Sequence, residues 1–141
     1  MYEKCIKRVE KVQASFELKR LDYMHKGGRC SGLTLFAANL LKIRPQILLK
    51  DGKMIPGKKY KGNFAHVVKN YCQDVLEQFN TPDLSKAFIT YTTADAEIVD
   101  IARAMLKEKG FKNIYETRAG ATITSHCGED CLGILYINDA K

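Results

Sequence analysis

The chain has 141 residues, 45% of them hydrophobic and 28% charged, which suits one folded domain over 1–141 with a core of its own. No run of ~18 apolar residues occurs, so a membrane-spanning helix is not expected. Met1-Tyr2-Glu3-Lys4-Cys5 has no signal-peptide apolar stretch, and five scattered cysteines argue for reduced thiols, so a cytoplasmic chain is expected. The net charge of +7 is lopsided: residues 1–61 carry 15 Lys/Arg against 5 Asp/Glu, and residues 62–141 carry 8 against 11. A basic half suits a solvated surface or an acidic partner such as a protein, a phosphorylated headgroup, a membrane surface or nucleic acid.

Tyr2, Cys5, Ile6, Val9 and Val12 recur at helical spacing and predict a short opening helix. Val12, Ala14, Phe16 and Leu18 alternate with Gln13, Ser15 and Glu17, the pattern of a half-buried strand. Leu21 to Lys26 forms a helical turn ending at Gly27-Gly28. Ser31 can cap a helix whose Leu33, Phe36, Ala37, Leu40 and Leu41 make an apolar stripe, and Pro45 stops it. Gln46–Lys50 and Lys53–Ile55 flank Asp51-Gly52, a strong hairpin signal. Phe64, Val67, Val68, Tyr71, Val75 and Phe79 mark a long helix, and Ala87–Tyr91 a strand. Thr92 or Thr93 opens the next helix, which Gly110 closes. Ile114–Thr117 and Leu132–Ile137 complete the strands. The expected class is α+β, a two-layer fold with a mixed, largely antiparallel sheet and helices packed on it.

Two glycine-flanked segments carry the candidate chemistry. In Lys26-Gly27-Gly28-Arg29-Cys30-Ser31, a cation stands beside the positive end of the following helix, which makes sense if an anion lies between them. A plainer reading ends one helix at Gly27 and leaves Arg29 solvated. In Ala119–Gly128, expected as a tight turn, Ser125 and His126 can both hydrogen-bond a carboxylate. A histidine satisfied by its own turn is the plainer alternative. No base and acid pair up with Ser125 for nucleophilic catalysis. His126, Cys127 and Cys131 are three soft ligands without an evident fourth, so no metal and no other cofactor is expected. Lys50, Lys53, Lys58, Lys59 and Lys61 gather at the hairpin, either as a solubilising edge or as a docking patch for an acidic surface. Nucleic acid is disfavoured because Tyr60 is the one aromatic among them.

Taken in order, Leu21-Asp22-Tyr23-Met24-His25-Lys26-Gly27-Gly28-Arg29, Leu40-Leu41-Lys42-Ile43-Arg44-Pro45-Gln46-Ile47-Leu48, Asp51-Gly52-Lys53 with Pro56, and Gly120 through Gly133 resemble the C-terminal half of the DegV family, bacterial fatty-acid-binding proteins. The likeness runs from about Phe16 to Ile137. It implies a DegV C-terminal-domain-like fold and the absence of the family's N-terminal half. It further implies half of a carrier, not an enzyme, that presents the carboxyl group of a long-chain fatty acid to a partner fatty acid kinase, in the service of phospholipid synthesis. By that resemblance Arg29, Ser125 and His126 belong to the headgroup network. Leu33, Phe36 and Ile43 would line the acyl tail, contributing to an apolar patch left open by the missing half. Lys61 would help dock the kinase. A transient membrane-surface contact fits the basic half. The family pattern has glycine where Thr124 stands and Pro-Gly where this chain has Glu129-Asp130; these two carboxylates would oppose an ionised headgroup if they pointed inward. The competing readings are a basic domain for nucleic acid or anionic surfaces and, behind it, a Ser/Cys-His hydrolase.

Overall fold

The computed structural model describes residues 1–29 and 43–140. The helix expected over 31–41, with Leu33 and Phe36, lies outside the described residues. The first helix, α1, covers Tyr2–Val9. It leads into β1 (Val12–Glu17) and then α2 (Asp22–Lys26). The hairpin forms as expected: Asp51 and Gly52 both take positive φ and turn β2 (Arg44–Lys50) back along β3 (Lys53–Tyr60). Strand β3 outruns the expected Lys53–Ile55, because Pro56 sits in an edge strand where its missing N–H costs no ladder bond.

Asn63 caps α3 (Phe64–Gln78), accepting the His66 N–H on its side-chain oxygen at 2.9 Å. After β4 (Ala87–Tyr91), the next helix, α4, starts later than expected, at Ala96, and ends at Lys109 before Gly110. Thr92 and Thr93 do not cap it. Their hydroxyls accept the N–H groups of Cys131 and Asp130 at 3.3 and 3.0 Å, fastening the loop to the start of the last strand. Strand β5 (Ile114–Arg118) follows. The segment expected as a tight turn is instead a two-turn helix, α5 (Ala121–Cys127), with Gly120 before it and Gly128 after it. Strand β6 (Leu132–Ile137) closes the fold.

The strand order is β3-β2-β1-β6-β4-β5, and every neighbouring pair is antiparallel except β4–β5. The long helices α3 and α4 cover one face. There Val67, Tyr71 and Val75 of α3 and Ala102 and Leu106 of α4 pack with Ala87, Ile89, Leu132 and Ile134 of the sheet. Burying each large aliphatic side chain contributes about 1.5–3 kcal/mol, so this layer holds the domain together.

Strand β1 reverses the usual rule on this face. Gln13, Ser15 and Glu17 point into it and are 3%, 2% and 0% exposed. Their burial is tolerable because Tyr71 forms a polar hub. Its hydroxyl donates to the Ser15 carbonyl at 2.8 Å and accepts the Ile134 N–H at 3.1 Å. Gln13 Nε2 donates to Ser15 Oγ at 2.7 Å, and Ser15 Oγ lies 2.9 Å from the Tyr71 oxygen. Glu17 is served less well. Arg44 reaches one of its oxygens at 3.4 Å, while the other, like Gln13 Oε1, has no partner among the described residues. Burial pushes its carboxyl up to about 8, against the pull of Arg44.

Candidate functional site

The opposite face of the sheet carries the apolar side of β1 and its neighbours, half-buried at Ala14, Phe16, Met54 and Leu135 and exposed towards its edges. Phe16 pairs with Ile47, Ala14 with Leu135, and Leu135 with Phe88 across adjoining strands, so these side chains share this face. Leu49 and Met54 extend it on the hairpin. Phe88 stacks on Tyr115 with ring centroids 5.3 Å apart, and the hydroxyls of Thr90 and Thr117 are 2.7 Å apart. Phe88, Tyr115 and Leu49 all remain exposed.

Helices α2 and α5 lie over one end of this face. They cover a small second core of Leu18, Leu21, Met24, Ile47, Cys127 and Cys131. Glycine is what lets them meet. A Cβ on Gly27 would stand 2.3 Å from His126 Cδ2, so the end of α2 lies directly against the imidazole. Gly128 takes φ +74°, and a Cβ there would stand 2.7 Å from the Tyr23 ring. The two glycine-flanked segments singled out in the sequence, nearly a hundred residues apart, therefore form one structure.

Between these helices and the sheet lies a cavity of about 330 Å³. Its body is apolar: Ala14, Phe16, Leu49, Met54, Leu135 and Ile123. Its polar groups are few and come largely from loops and helix α5: Arg29, His126, Thr90, Thr92 and Thr122, with Cys127 and Cys131. His126 Nδ1 is 2.8 Å from the Thr122 carbonyl oxygen. A carbonyl can only accept, so Nδ1 carries the proton. Nε2 is then an acceptor in the neutral ring and a donor in the imidazolium. Arg29 is exposed, anchored through its N–H to the Met24 carbonyl at 3.0 Å, and makes no ion pair among the described residues.

Of the expected site residues, the cavity unites Arg29 and His126. Ser125 is one residue from His126, but it is exposed, does not line the cavity, and donates its hydroxyl to the Ala121 carbonyl at 2.7 Å. The helical form of 121–127 explains this, since neighbours on a helix point about 100° apart. Ile43 is half-buried and does not line the cavity. Lys61 is exposed just beyond β3, away from the cavity lining, whereas Lys58 of the same cluster is paired with Asp74 at 2.6 Å.

The two carboxylates of the altered turn do not face the cavity. Glu129 pairs with Lys19 at 2.7 Å; Asp130 lies 3.1 Å from Lys19 and 3.7 Å from Arg44. Among the described residues, no group of three or more His, Cys, Asp or Glu is arranged to hold a metal ion. No helix among them is long and apolar enough to cross a membrane. Thr90, Thr122 and Ile123 enter the site without having been singled out in the sequence, and Thr92, expected to open a helix, enters it too. The signal available for Thr90 was the period of β4, which puts Phe88 and Thr90 opposite Ala87 and Ile89.

Comparison with known proteins agrees with this architecture. A "Fatty acid-binding protein" of Thermotoga maritima is 30% identical over 125 residues, covering 86% of this chain and 42% of that protein. "Protein DegV" of Bacillus subtilis is 25% identical over 139 residues, covering 95% of this chain and 49% of that one. The chain thus spans about half the length of the curated relatives it matches. A solved "degv lipid binding protein" from Thermotoga maritima superimposes with a TM-score of 0.75 at 26% identity, over 99% of this chain and 49% of its own. A DegV family protein from Eubacterium eligens, solved loaded with heptadecanoic acid, has the same fold, with a TM-score of 0.81 at 18% identity over 99% of this chain and 49% of its own. The family profile described as "Uncharacterised protein, DegV family" matches residues 1–139, and the chain belongs to the DegV family.

Proposed function

We propose that this chain binds a long-chain fatty acid as one wall of a carrier site and catalyses nothing itself. One observation carries the reading: an apolar cavity of about 330 Å³ on the sheet face away from α3 and α4, with a cation and an imidazole among its few polar groups. That volume is at the low end of the ~300–1,000 Å³ usual for ligand pockets, as expected of a site completed by another domain. An alkyl chain needs apolar walls and no hydrogen-bond partners, which the sheet side supplies. A carboxyl group needs converging polar groups. Arg29 is suited to pair with a carboxylate; His126 Nε2 can accept from the protonated acid or, as the imidazolium, donate to the carboxylate.

In this reading the remaining open face meets the N-terminal half found in longer relatives. Lys61, exposed beyond β3, contributes to docking the fatty acid kinase that receives the carboxyl group, in a cytoplasmic setting. Leu33 and Phe36 are further tail-lining candidates, and Ser125 a neighbour rather than a direct partner of the headgroup. The names of the relatives support the ligand class: a fatty acid-binding protein by sequence, and a protein loaded with heptadecanoic acid by structure.

Native mass spectrometry on the chain purified from bacteria tests the reading. An adduct of fatty-acid mass, lost or reduced in Arg29→Ala and His126→Ala, is the expected result. A protein that stays bare when oleate is added, alone and when joined to the N-terminal half of a relative, would overturn it. Lys61→Ala should leave the adduct intact and weaken only coupling to the kinase.

A further inference from the structure

The wall of the cavity contains a feature that acyl binding does not use. Cys127 ends α5 and Cys131 immediately precedes β6, and both residues line the cavity. Between them, Gly128 at φ +74° and Asp130 at φ +51° fold the chain back. The turn is pinned by the Gly128 N–H on the Thr124 carbonyl at 2.8 Å, and by the Asp130 and Cys131 N–H groups on the two threonine hydroxyls. This brings the two cysteines, four residues apart, together in one small core. Both are free.

We propose that Cys127 and Cys131 form a redox-reactive dithiol, a site that a small peroxide oxidises to an intramolecular disulfide in the cavity wall. Neighbouring Cys131 lowers the Cys127 pKa from the ordinary thiol value, while neighbouring Cys127 and burial raise that of Cys131. Cys127 is therefore the attacking sulfur and Cys131 the resolving one. The Cys127 thiolate attacks one oxygen of hydrogen peroxide, the O–O bond breaks, and hydroxide leaves. Cys127 is now a sulfenic acid. The Cys131 sulfur attacks the Cys127 sulfur, the S–O bond breaks, and water leaves with the Cys131 proton. The hydroxide takes up the proton that Cys127 released. Two thiols are oxidised to one disulfide, and one peroxide is reduced to two waters. The bond ties the helix that carries His126 to the start of β6 and removes both S–H groups from the cavity wall.

Peptide mapping tests this on the full chain. The reduced protein is treated with hydrogen peroxide, alkylated under denaturing conditions and digested. A peptide crosslinked through Cys127 and Cys131 is expected, with labelling of both falling at least about tenfold and that of Cys72, buried in the other core, unchanged. In Cys131→Ser the sulfenic acid should persist on Cys127 and be trapped by dimedone; in Cys127→Ser, Cys131 should stay a thiol. Recovery of Cys127 and Cys131 as alkylatable thiols from peroxide-treated wild type would overturn the proposal, as would crosslinks confined to the exposed Cys5. Because the wild-type map needs no variant, a substitution that fails to fold does not blunt the test.

Discussion

The two faces of the sheet obey opposite rules. The face under α3 and α4 is closed, and it buries Gln13, Ser15 and Glu17 beside its aliphatic residues. The other face carries the apolar side of the same strand and leaves Leu49, Phe88 and Tyr115 exposed. A domain built only to be stable would put its apolar stripe inside. Here the interior accepts polar groups by supplying partners such as the Tyr71 hydroxyl, and the apolar side of β1 lies on the other face. Polarity along β1 therefore does not tell inside from outside.

Adjacent residues of β4 offer the strongest way to break this comparison. Ile89 is 0% exposed and Phe88 is 38% exposed. Ile89→Ala should cost about 3 kcal/mol in denaturant unfolding, because it opens a cavity in the closed core. Phe88→Ala should cost less than about 1 kcal/mol while weakening oleate binding. Equal losses of stability from the two would mean that the faces do not differ as described.

Gly27→Ala sharpens the link between the two helices over the open face. A methyl group there collides with the His126 ring, so about 1–3 kcal/mol is expected to be lost, together with headgroup binding. Wild-type stability with intact binding would show that the ring moves aside freely. Tyr71→Phe tests the polar hub. Three hydrogen-bonding groups lose their shared partner, and a loss of about 1–3 kcal/mol is expected by urea titration.

Glu17 gives a pH test of the closed face. Its folded-state pKa, about 8, lies above the unfolded value of about 4.5, so the folded protein holds this proton more tightly. The contribution is fully present below the unfolded pKa and is lost as pH rises through the folded one. The stability of Glu17→Gln relative to wild type should therefore rise between about pH 5 and pH 9. A difference independent of pH over that window would contradict the burial of an ionisable group here. The smallest effect belongs to α1, whose Arg8 bridges Asp83 and Asp139 at 2.5 Å each on the surface. Arg8→Ala should lower stability only slightly, and less in high salt.

Much of the fold was legible in the sequence because its signals are local. Asp51-Gly52, Gly110 and the periodic stripe of α3 each act through neighbouring residues, and each element formed. The 121–127 segment was misread because its helix is short and flanked by glycines, and its apolar residues are too few to set a period. It is held by packing of His126 on Gly27 and Tyr23 on Gly128, contacts that no local pattern records. For the candidate site, Arg29 and His126, which line the cavity, could be named from residue type and family resemblance. The retreat of Ser125 could not, because it depends on which way a helix turns. Nor could the outward pairing of Glu129 and Asp130, which depends on Lys19 from a loop far away in sequence.

The most direct test of the account is a two-dimensional amide NMR titration of the chain with oleate. The account predicts shifts confined to the open face and its helices: Phe16, Phe88, Thr90, Leu135, Ile123, Arg29 and His126. The amides of α3 and α4 should stay still. Shifts centred on α3 and α4, or none at oleate concentrations that load a two-domain relative, would contradict it.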